Sequence, residues 1–180
     1  MGLFDQGRVV SAASDDLRAA GALPSGRFAG RTAFQQLVRD ALARAAREGW
    51  REIILCDADF HDWPLGERAV NESLLQWSAT GRRCTLLARR YDEVVRRHAR
   101  FVTWRQTWTH IVEARACASA DPLELPSAIW SPGWVMQRLD PERCNGLSGS
   151  EAERRLLLRE SLEAWLAKST PSFASSTLGL

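Results

Sequence analysis

Residues 52–57 have the sequence Glu-Ile-Ile-Leu-Cys-Asp, in which an apolar run stands between two acidic residues. Short apolar runs of this kind are typical of strands that are buried on both faces of a sheet. Residues 83–88 contain a similar run, Cys-Thr-Leu-Leu-Ala, and residues 110–117 predict a third strand of the same type. These three segments predict a sheet whose central strands are covered on both sides.

Helical periodicity fills the segments around these strands. Phe34, Val38 and Leu42 recur every four residues and therefore share one helix face, and Gly49 stands where that helix should end. The same periodicity predicts a helix ending near residue 80, a helical stretch over 92–105 that is either continuous or broken into two, and a last helix over 150–168. Alternation of helices and strands implies crossover connections and helices on both faces of the sheet.

The pattern changes after the third strand. Ser131-Pro-Gly133 separates two apolar segments, 127–131 and 134–139, and its composition predicts a type II turn in a β-hairpin. An antiparallel hairpin makes the sheet mixed. We therefore predict a three-layer α/β/α sandwich with a mixed, mostly parallel sheet that ends in a β-hairpin and a C-terminal helix.

Length and composition favour a single globular domain. The chain has 180 residues, of which 45% are hydrophobic and 26% are charged, so wholesale disorder is excluded. We expect an N-terminal arm over 1–30, one domain over 31–168 and a flexible tail over 169–180. No apolar run approaches the length of a membrane span, and the first ten residues lack the apolar core of a secretory signal, which favours a cytoplasmic protein.

The four cysteines do not form the close pairs that zinc sites use. They stand about 30 residues apart, at Cys56, Cys84, Cys117 and Cys144, and the first three lie in or beside strand-like segments. We expect them to be reduced, buried side chains. The sequence predicts no metal or other cofactor from these residues.

A cluster of acidic residues and one histidine follows the first strand: Asp57, Asp59, His61 and Asp62. Ligands of α/β proteins gather beyond the carboxyl ends of strands, and carboxylates there could hold Mg²⁺ with His61 as a proton carrier. An apolar strand followed by D-x-D resembles the first motif of haloacid-dehalogenase-type phosphohydrolases, although Phe60-His61 departs from it. The alternative is structural, because aspartates at strand ends commonly close the next turn.

The other histidines do not belong to a recognisable catalytic motif. His98 lies on the apolar face of its helix, which favours a packing role. His110 begins a strand, and no G-x-S-x-G or phosphate-binding glycine loop accompanies it. The sequence therefore names no catalytic residue.

Arginines are concentrated in one part of the chain. Residues 82–115 contain nine arginines and three acidic residues, a local net charge of +6 in a chain of net charge +2. Arg89, Arg90, Arg96 and Arg97 are the candidate anion-binding residues. With Trp104 and Trp108 they could bind nucleic acid by phosphate contacts and base stacking. The alternative is an exposed helix face whose tryptophans lie in the core.

The order of elements from Thr32 to Lys168 resembles one half of a phospholipase D-type domain, with residues 129–135 as its hairpin. The H-x-K-x-x-x-x-D signature of these enzymes is absent: after His110, Val112 stands at the lysine position and Cys117 at the aspartate position. The resemblance therefore implies a catalytically silent relative. Because active members combine two such motifs, from two halves or two chains, it also implies a homodimer.

Three functions follow from these patterns. The favoured one is a non-catalytic phospholipase D-like domain that acts by binding or dimerisation, with an unidentified ligand. The first alternative is a metal-dependent phosphohydrolase that uses Asp57, Asp59 and Asp62. The second is an arginine-rich binder of nucleic acid or another polyanion.

Overall fold

The computed structural model describes residues 21–173, which form one mixed sheet with helices on both faces. Its strands are β1 (Gly26–Phe28), β2 (Glu52–Cys56), β3 (Arg83–Ala88), β4 (Val112–Ala116), β5 (Ser127–Trp130), β6 (Val135–Asp140), β7 (Asn145–Gly149) and β8 (Thr170–Pro171). Its helices are α1 (Arg31–Glu48), α2 (Arg68–Ser78), α3 (Asp92–Arg97), α4 (Ala99–Thr107) and α5 (Ala152–Lys168). The strand order is β1-β7-β6-β5-β2-β3-β4-β8. The predicted α/β class with a mixed sheet is confirmed.

The centre of the sheet is parallel and connected by helices. β3 lies between β2 and β4 and pairs with both in parallel, α2 connects β2 to β3, and α3 and α4 connect β3 to β4. The carboxyl ends of these strands, Cys56, Ala88 and Ala116, therefore lie along one edge of the sheet. The loop that carries Asp57, Asp59, His61 and Asp62, called the acidic loop below, begins at that edge.

Antiparallel pairing is more extensive than the predicted "mostly parallel" sheet: two of the seven strand pairings are parallel and five are antiparallel. The sequence did not predict β1, β7 and β8. β7 contains two glycines and β8 contains Pro171, a residue that edge strands tolerate. Their composition resembles that of loops, so local periodicity does not identify them.

The chain segments at both ends of the predicted domain contribute to the sheet. β1 falls in the predicted arm and pairs with β7, and the carbonyl of Pro24 accepts hydrogen bonds from Trp134 Nε1 and Ser148 Oγ. β8 falls in the predicted tail and pairs with β4. The ordered fold therefore extends beyond 31–168 on both sides. The rest of the arm, 1–20, and of the tail, 174–180, lies outside the described residues.

The hairpin between β5 and β6 forms where it was predicted, but its turn is not of type II. That turn requires a positive φ at Gly133, and Gly133 is not among the glycines with positive φ. Ser131 closes the turn instead: its hydroxyl accepts the N–H of Trp134 at 3.0 Å, and its own N–H donates to the Trp134 carbonyl at 3.0 Å.

The hydrophobic core has two parts, one on each face of the sheet. Ile53 and Leu55 of β2 face the larger part, formed with α1, α2 and α4, while Ile54 and Cys56 face the smaller part beneath α5. α1 buries the predicted Phe34, Val38 and Leu42 and ends at Gly49, whose φ is 63°. This arrangement gives the three layers that the sequence predicted.

All four cysteines are buried and free, as the sequence predicted. Burial raises the pKa of Cys84 to about 12, so this thiol is uncharged at neutral pH. Within the described part of the chain, no helix is long and apolar enough to cross a membrane.

Candidate functional site

The loop after β2 begins with an aspartate that folds the loop back on itself. Asp57 is 4% exposed, and its Oδ2 accepts the backbone N–H groups of Asp59 at 3.2 Å and Phe60 at 2.8 Å. Phe60 has a φ of 59°, an uncommon conformation for a residue with a side chain, and its ring is buried in the core. This tight turn directs alternate side chains of the loop inward and outward.

The inward carboxylates share one arginine of β6. Arg138 Nη2 donates to Asp57 Oδ1 at 2.8 Å, and Nη1 donates to Asp62 Oδ2 at 2.6 Å. Its Nε donates to Ser127 Oγ at 2.8 Å, and its guanidinium carbon lies 4.0 Å from the centroid of the Phe34 ring. Only 2% of the Arg138 side chain is exposed. Every nitrogen of this buried guanidinium therefore has an acceptor.

Sheet register brings these residues together. Ser127 is paired with Arg138 and Ala128 with Cys56, so the long side chain of Arg138 crosses β5 to reach the residue after Cys56. The sequence analysis missed Arg138. A usable signal was present, because Arg138 stands two residues after the buried Met136 and so shares its face of the sheet. An arginine at a core position requires a carboxylate partner.

The ion pairs of Arg138 shift the pKa values of Asp62 and of Arg138 itself. Burial alone would raise the pKa of Asp62, but the hydrogen bond and the charge of Arg138 outweigh burial and hold that pKa below its ordinary value. Burial opposes the charge of Arg138, yet hydrogen bonds and charges of Asp62 and Asp57 raise its pKa. Asp62 Oδ1 is enclosed without a donor, and Cys144 Sγ lies 3.6 Å from Oδ2. Asp62 and Arg138 are therefore held in their charged forms.

The outward residues of the loop form a separate pair. His61 Nδ1 lies 2.8 Å from Asp59 Oδ1, and the backbone N–H of His61 donates to the same oxygen at 3.0 Å. The side chain of His61 is 50% exposed. The acidic loop thus divides into Asp57 and Asp62, which are buried on Arg138, and Asp59 and His61, which face solvent. In residues 21–173, no group of three or more histidine, cysteine or acidic residues is placed to hold a metal ion.

His98 supports this loop from α3 and α4, between which it lies. Its Nε2 is 2.8 Å from the carbonyl oxygen of Phe60, and 5% of the residue is exposed. Burial lowers its pKa, so the ring is favoured in its neutral form. The predicted packing role of His98 is confirmed.

The outward pair joins three of the four candidate anion-binding arginines in an open groove of about 500 Å³. Its lining residues are Asp59, His61, Arg90, Asp92, Glu93, Arg96 and Arg97. Glu93 pairs with both Arg96, at 3.0 Å, and Arg97, at 2.6 Å. The three arginines are thus balanced by three carboxylates. The groove is polar but does not concentrate positive charge.

The fourth candidate, Arg89, does not line this groove. Its Nε donates to the carbonyl oxygen of Ala120 at 2.5 Å, so it fastens the loop after β4. Arg89 therefore has a structural contact where the sequence predicted a ligand contact.

The arginine-rich stretch 82–115 does not form a single patch. Arg82 and Arg83 stand at the start of β3 and Arg89 and Arg90 follow its end, and its six residues separate the two pairs by roughly 20 Å. These arginines do not form one contiguous basic surface, because the strand carries the two pairs to opposite edges of the sheet.

Trp104, one of the two tryptophans considered for base stacking, lies in the core. Trp104 is 2% exposed, and its Nε1 donates to Ser78 Oγ at 2.8 Å. Trp108 is half-buried and packs against the larger core. The alternative interpretation, a tryptophan that lies in the core, is therefore confirmed for Trp104.

Comparison with known proteins identifies the fold only. No family model and no curated protein matches the chain. Among solved structures, the chain is similar to TrmBL2, an archaeal chromatin protein described as showing a novel mode of DNA binding, with a TM-score of 0.62 and 13% sequence identity. The match covers 89% of this chain and 62% of that chain, so this chain spans less than two thirds of the other's length.

Proposed function

We propose that this chain is a non-catalytic domain that acts by binding. The observation that carries the proposal is the buried network in which Arg138 holds Asp57 and Asp62. These aspartates occupy the position where α/β enzymes place catalytic groups, yet both form buried ion pairs with Arg138.

The energetics of the network support this proposal. A general acid or base must exchange protons near working pH, but Arg138 holds the pKa of Asp62 below its ordinary range. A metal ion would have to displace the guanidinium, and breaking a buried ion pair by removing one partner costs about 3–5 kcal/mol. Proton exchange and metal binding would therefore each require the buried ion pairs with Arg138 to be broken.

The relation to phospholipase D-like domains remains part of the proposal. In its favour, the elements from α1 to α5 follow the predicted order of helices, strands, hairpin and final helix. The positions that should carry the lysine and aspartate of the signature after His110 hold Val112 and Cys117, which are 2% and 5% exposed. Buried apolar side chains there are consistent with a domain that lost, or never had, the catalytic motif.

Pairing with a second copy of the chain belongs to the same proposal. Three large apolar side chains are exposed: Leu139 of β6 is 62% exposed, and Leu156 and Leu157 of α5 are 58% and 59% exposed. Light scattering is expected to give twice the 20.1 kDa of one chain. A mass of one chain at all concentrations tested would remove the homodimer from the proposal.

Nucleic acid is the second candidate ligand, favoured by the fold that the chain shares with a DNA-binding chromatin protein. Because the arginines of 82–115 lie at two edges of the sheet, few of them can contact the same nucleic-acid strand at once. We expect weak binding of a single-stranded oligonucleotide, with a shallow dependence of affinity on salt. Fluorescence anisotropy over a salt series measures this, and Arg90→Glu tests the groove. Tight binding with a steep salt dependence would make nucleic acid the leading candidate.

The absence of catalysis is tested with generic phosphate esters. The chain is incubated with a phosphomonoester and a phosphodiester in the presence of Mg²⁺ or Mn²⁺, beside Asp57→Asn and Asp59→Asn variants. The expected rates are the same for all three proteins and for buffer. Turnover that Asp57→Asn removes and Asp59→Asn retains would contradict the proposal.

A further inference from the structure

A second concave surface lies at the opposite edge of the sheet from the acidic loop. It has a volume of about 670 Å³ and lies beside the first residues of β3 and β4. Three arginines and a histidine line it: Arg82, Arg83, Arg105 and His110. Among the described lining residues Glu113 is the one carboxylate, and it already pairs with Arg83 at 3.1 Å and Arg115 at 3.7 Å. The surface therefore carries an excess of positive charge.

Arg105 distinguishes this surface from an ordinary basic patch. The residue is only 7% exposed, and its enclosed Nε and Nη1 atoms have no hydrogen-bond acceptor among residues 21–173. Nη2 is not among these enclosed atoms. The ring centroid of Phe173 lies 5.6 Å from the guanidinium carbon, a weak contact for a buried charge. Arg105 thus lines the cavity with a buried guanidinium of which two donors lack an acceptor among the described residues, and Nη2, the nitrogen that is not enclosed, is the one that a ligand in the cavity can reach.

Within residues 21–173, no neighbouring side chain supplies a counter-charge to Arg105. Its titratable neighbours are Tyr91 and Cys84. Burial raises the pKa of both, to about 12 for Cys84, so both are neutral at physiological pH. The Tyr91 hydroxyl donates its hydrogen bond to the carbonyl oxygen of Arg115 and is not directed to Arg105 by a bond of its own. A comparison with Arg138, whose three nitrogens all have acceptors, shows how a structural arginine in this fold is satisfied.

Buried arginines are almost always paired, because a desolvated charge without acceptors is costly. We propose that the cavity formed by Arg82, Arg83, Arg105 and His110 binds the phosphate group of a small phosphomonoester. A phosphate offers several oxygens, so it can accept from Arg105 and from the more exposed arginines at once. The cavity has the size typical of small-molecule sites. This inference rests on the proposed function, since it names the ligand class of a binding domain.

The test is thermal unfolding of the full chain with increasing inorganic phosphate, beside sodium chloride at the same ionic strength. We expect a saturable rise in melting temperature with phosphate, because a ligand that binds only the folded state stabilises it. Chloride should not reproduce the rise. Titration of a phosphomonoester and of an oligonucleotide with no terminal phosphate then separates a small ligand from a polymer backbone.

Two variants test the assignment of the site. Arg105→Met removes the charge but keeps a long side chain, so we expect a folded protein that no longer responds to phosphate. Arg82→Ala changes an exposed residue and keeps the fold, and we expect it to raise the dissociation constant for phosphate by about tenfold, the size of one lost charge-assisted hydrogen bond. Arg90→Met, at the other edge of the sheet, is the control and should leave the dissociation constant unchanged.

The outcomes are distinct. No response of the wild-type chain to phosphate, an equal response in Arg82→Ala, or binding of the oligonucleotide alone would each overturn the phosphomonoester site. Such a failure leaves the buried acidic network and the non-catalytic proposal standing. Metal-dependent turnover through Asp57 would refute the proposed function without changing the phosphate response of Arg105.

Discussion

Arg138 is the residue on which the loop after β2 depends. Replacement by Met leaves Asp57 and Asp62 buried without a partner, so we expect a loss of about 3–5 kcal/mol in the free energy of unfolding. Urea denaturation measures it. Arg143→Met is the matched control, because the Arg143 pair with Asp140 is exposed and should contribute less than about 0.5 kcal/mol. A similar loss in both variants would show that the network has no special role.

The same network gives stability a defined dependence on pH. The pKa of Asp62 is lower in the folded chain than the value of about 3.9 in unfolded chains. The stabilisation is therefore complete above that value and is lost as pH falls through the folded pKa. Unfolding free energies at pH 7 and near pH 3 should show that wild type exceeds Asp62→Asn at neutral pH and that the gap closes in acid. A gap that widens in acid would reverse the sign of the argument.

Among single residues, the sequence predicted the side chains of the loop after β2 but not the arginine that binds two of them. Asp57, Asp59, His61 and Asp62 could be singled out because they follow a strand directly. Arg138 is 81 residues from Asp57 and reaches it only through the register of β5 and β6. Local pattern cannot supply such a partner, so the loop could be taken for a metal site.

Among the elements, the β5–β6 hairpin offers a test of its turn type by a single substitution at Gly133. Gly133 has no positive φ, and a Cβ there would meet no atom within 4 Å. We therefore expect Gly133→Ala to be neutral or to stabilise by about 0.4–1 kcal/mol, through the reduced entropy of the unfolded chain. Chemical denaturation checks this. A clear destabilisation would indicate a left-handed glycine and restore the type II turn.

α4 shows how a stacking residue and a core residue are told apart. Trp104 is buried and hydrogen-bonded to Ser78, so Trp104→Ala should lower the free energy of unfolding by about 3–5 kcal/mol. The exposed Gln106, on the same helix, provides the control, and Gln106→Ala should have little effect. Equal stability of the two variants, with weaker oligonucleotide binding only for Trp104→Ala, would return this ring to the surface.

Most elements could be predicted, and the exceptions share a physical cause. The apolar runs of β2 and β3 and the four-residue periodicity of α1 follow from burial, which local sequence records. β1, β7 and β8 are short strands rich in glycine, proline or polar residues. They form because a neighbouring strand offers unpaired backbone groups, and no pattern within them shows that neighbour.

For the whole molecule, the two edges of the sheet differ in whether their charged side chains are paired. At the carboxyl ends of β2 and β3, acidic and basic residues neutralise one another, in the core around Arg138 and in the groove around Glu93. At the opposite edge, Nε and Nη1 of Arg105 have no acceptor in the described part of the chain. Net charge along the sequence could not separate these edges, since arginines of both edges fall within 82–115.

Thermal unfolding of the chain in millimolar Mg²⁺ or Mn²⁺ tests most directly whether Asp57 and Asp62 are structural. Because Arg138 occupies both carboxylates, we predict that the melting temperature equals that in sodium chloride at the same ionic strength. A metal site would stabilise the folded chain by about 2.7 kcal/mol when the metal reaches 100 times its dissociation constant, a readily visible change. A saturable rise that Asp57→Asn abolishes and Asp59→Asn retains would contradict the account.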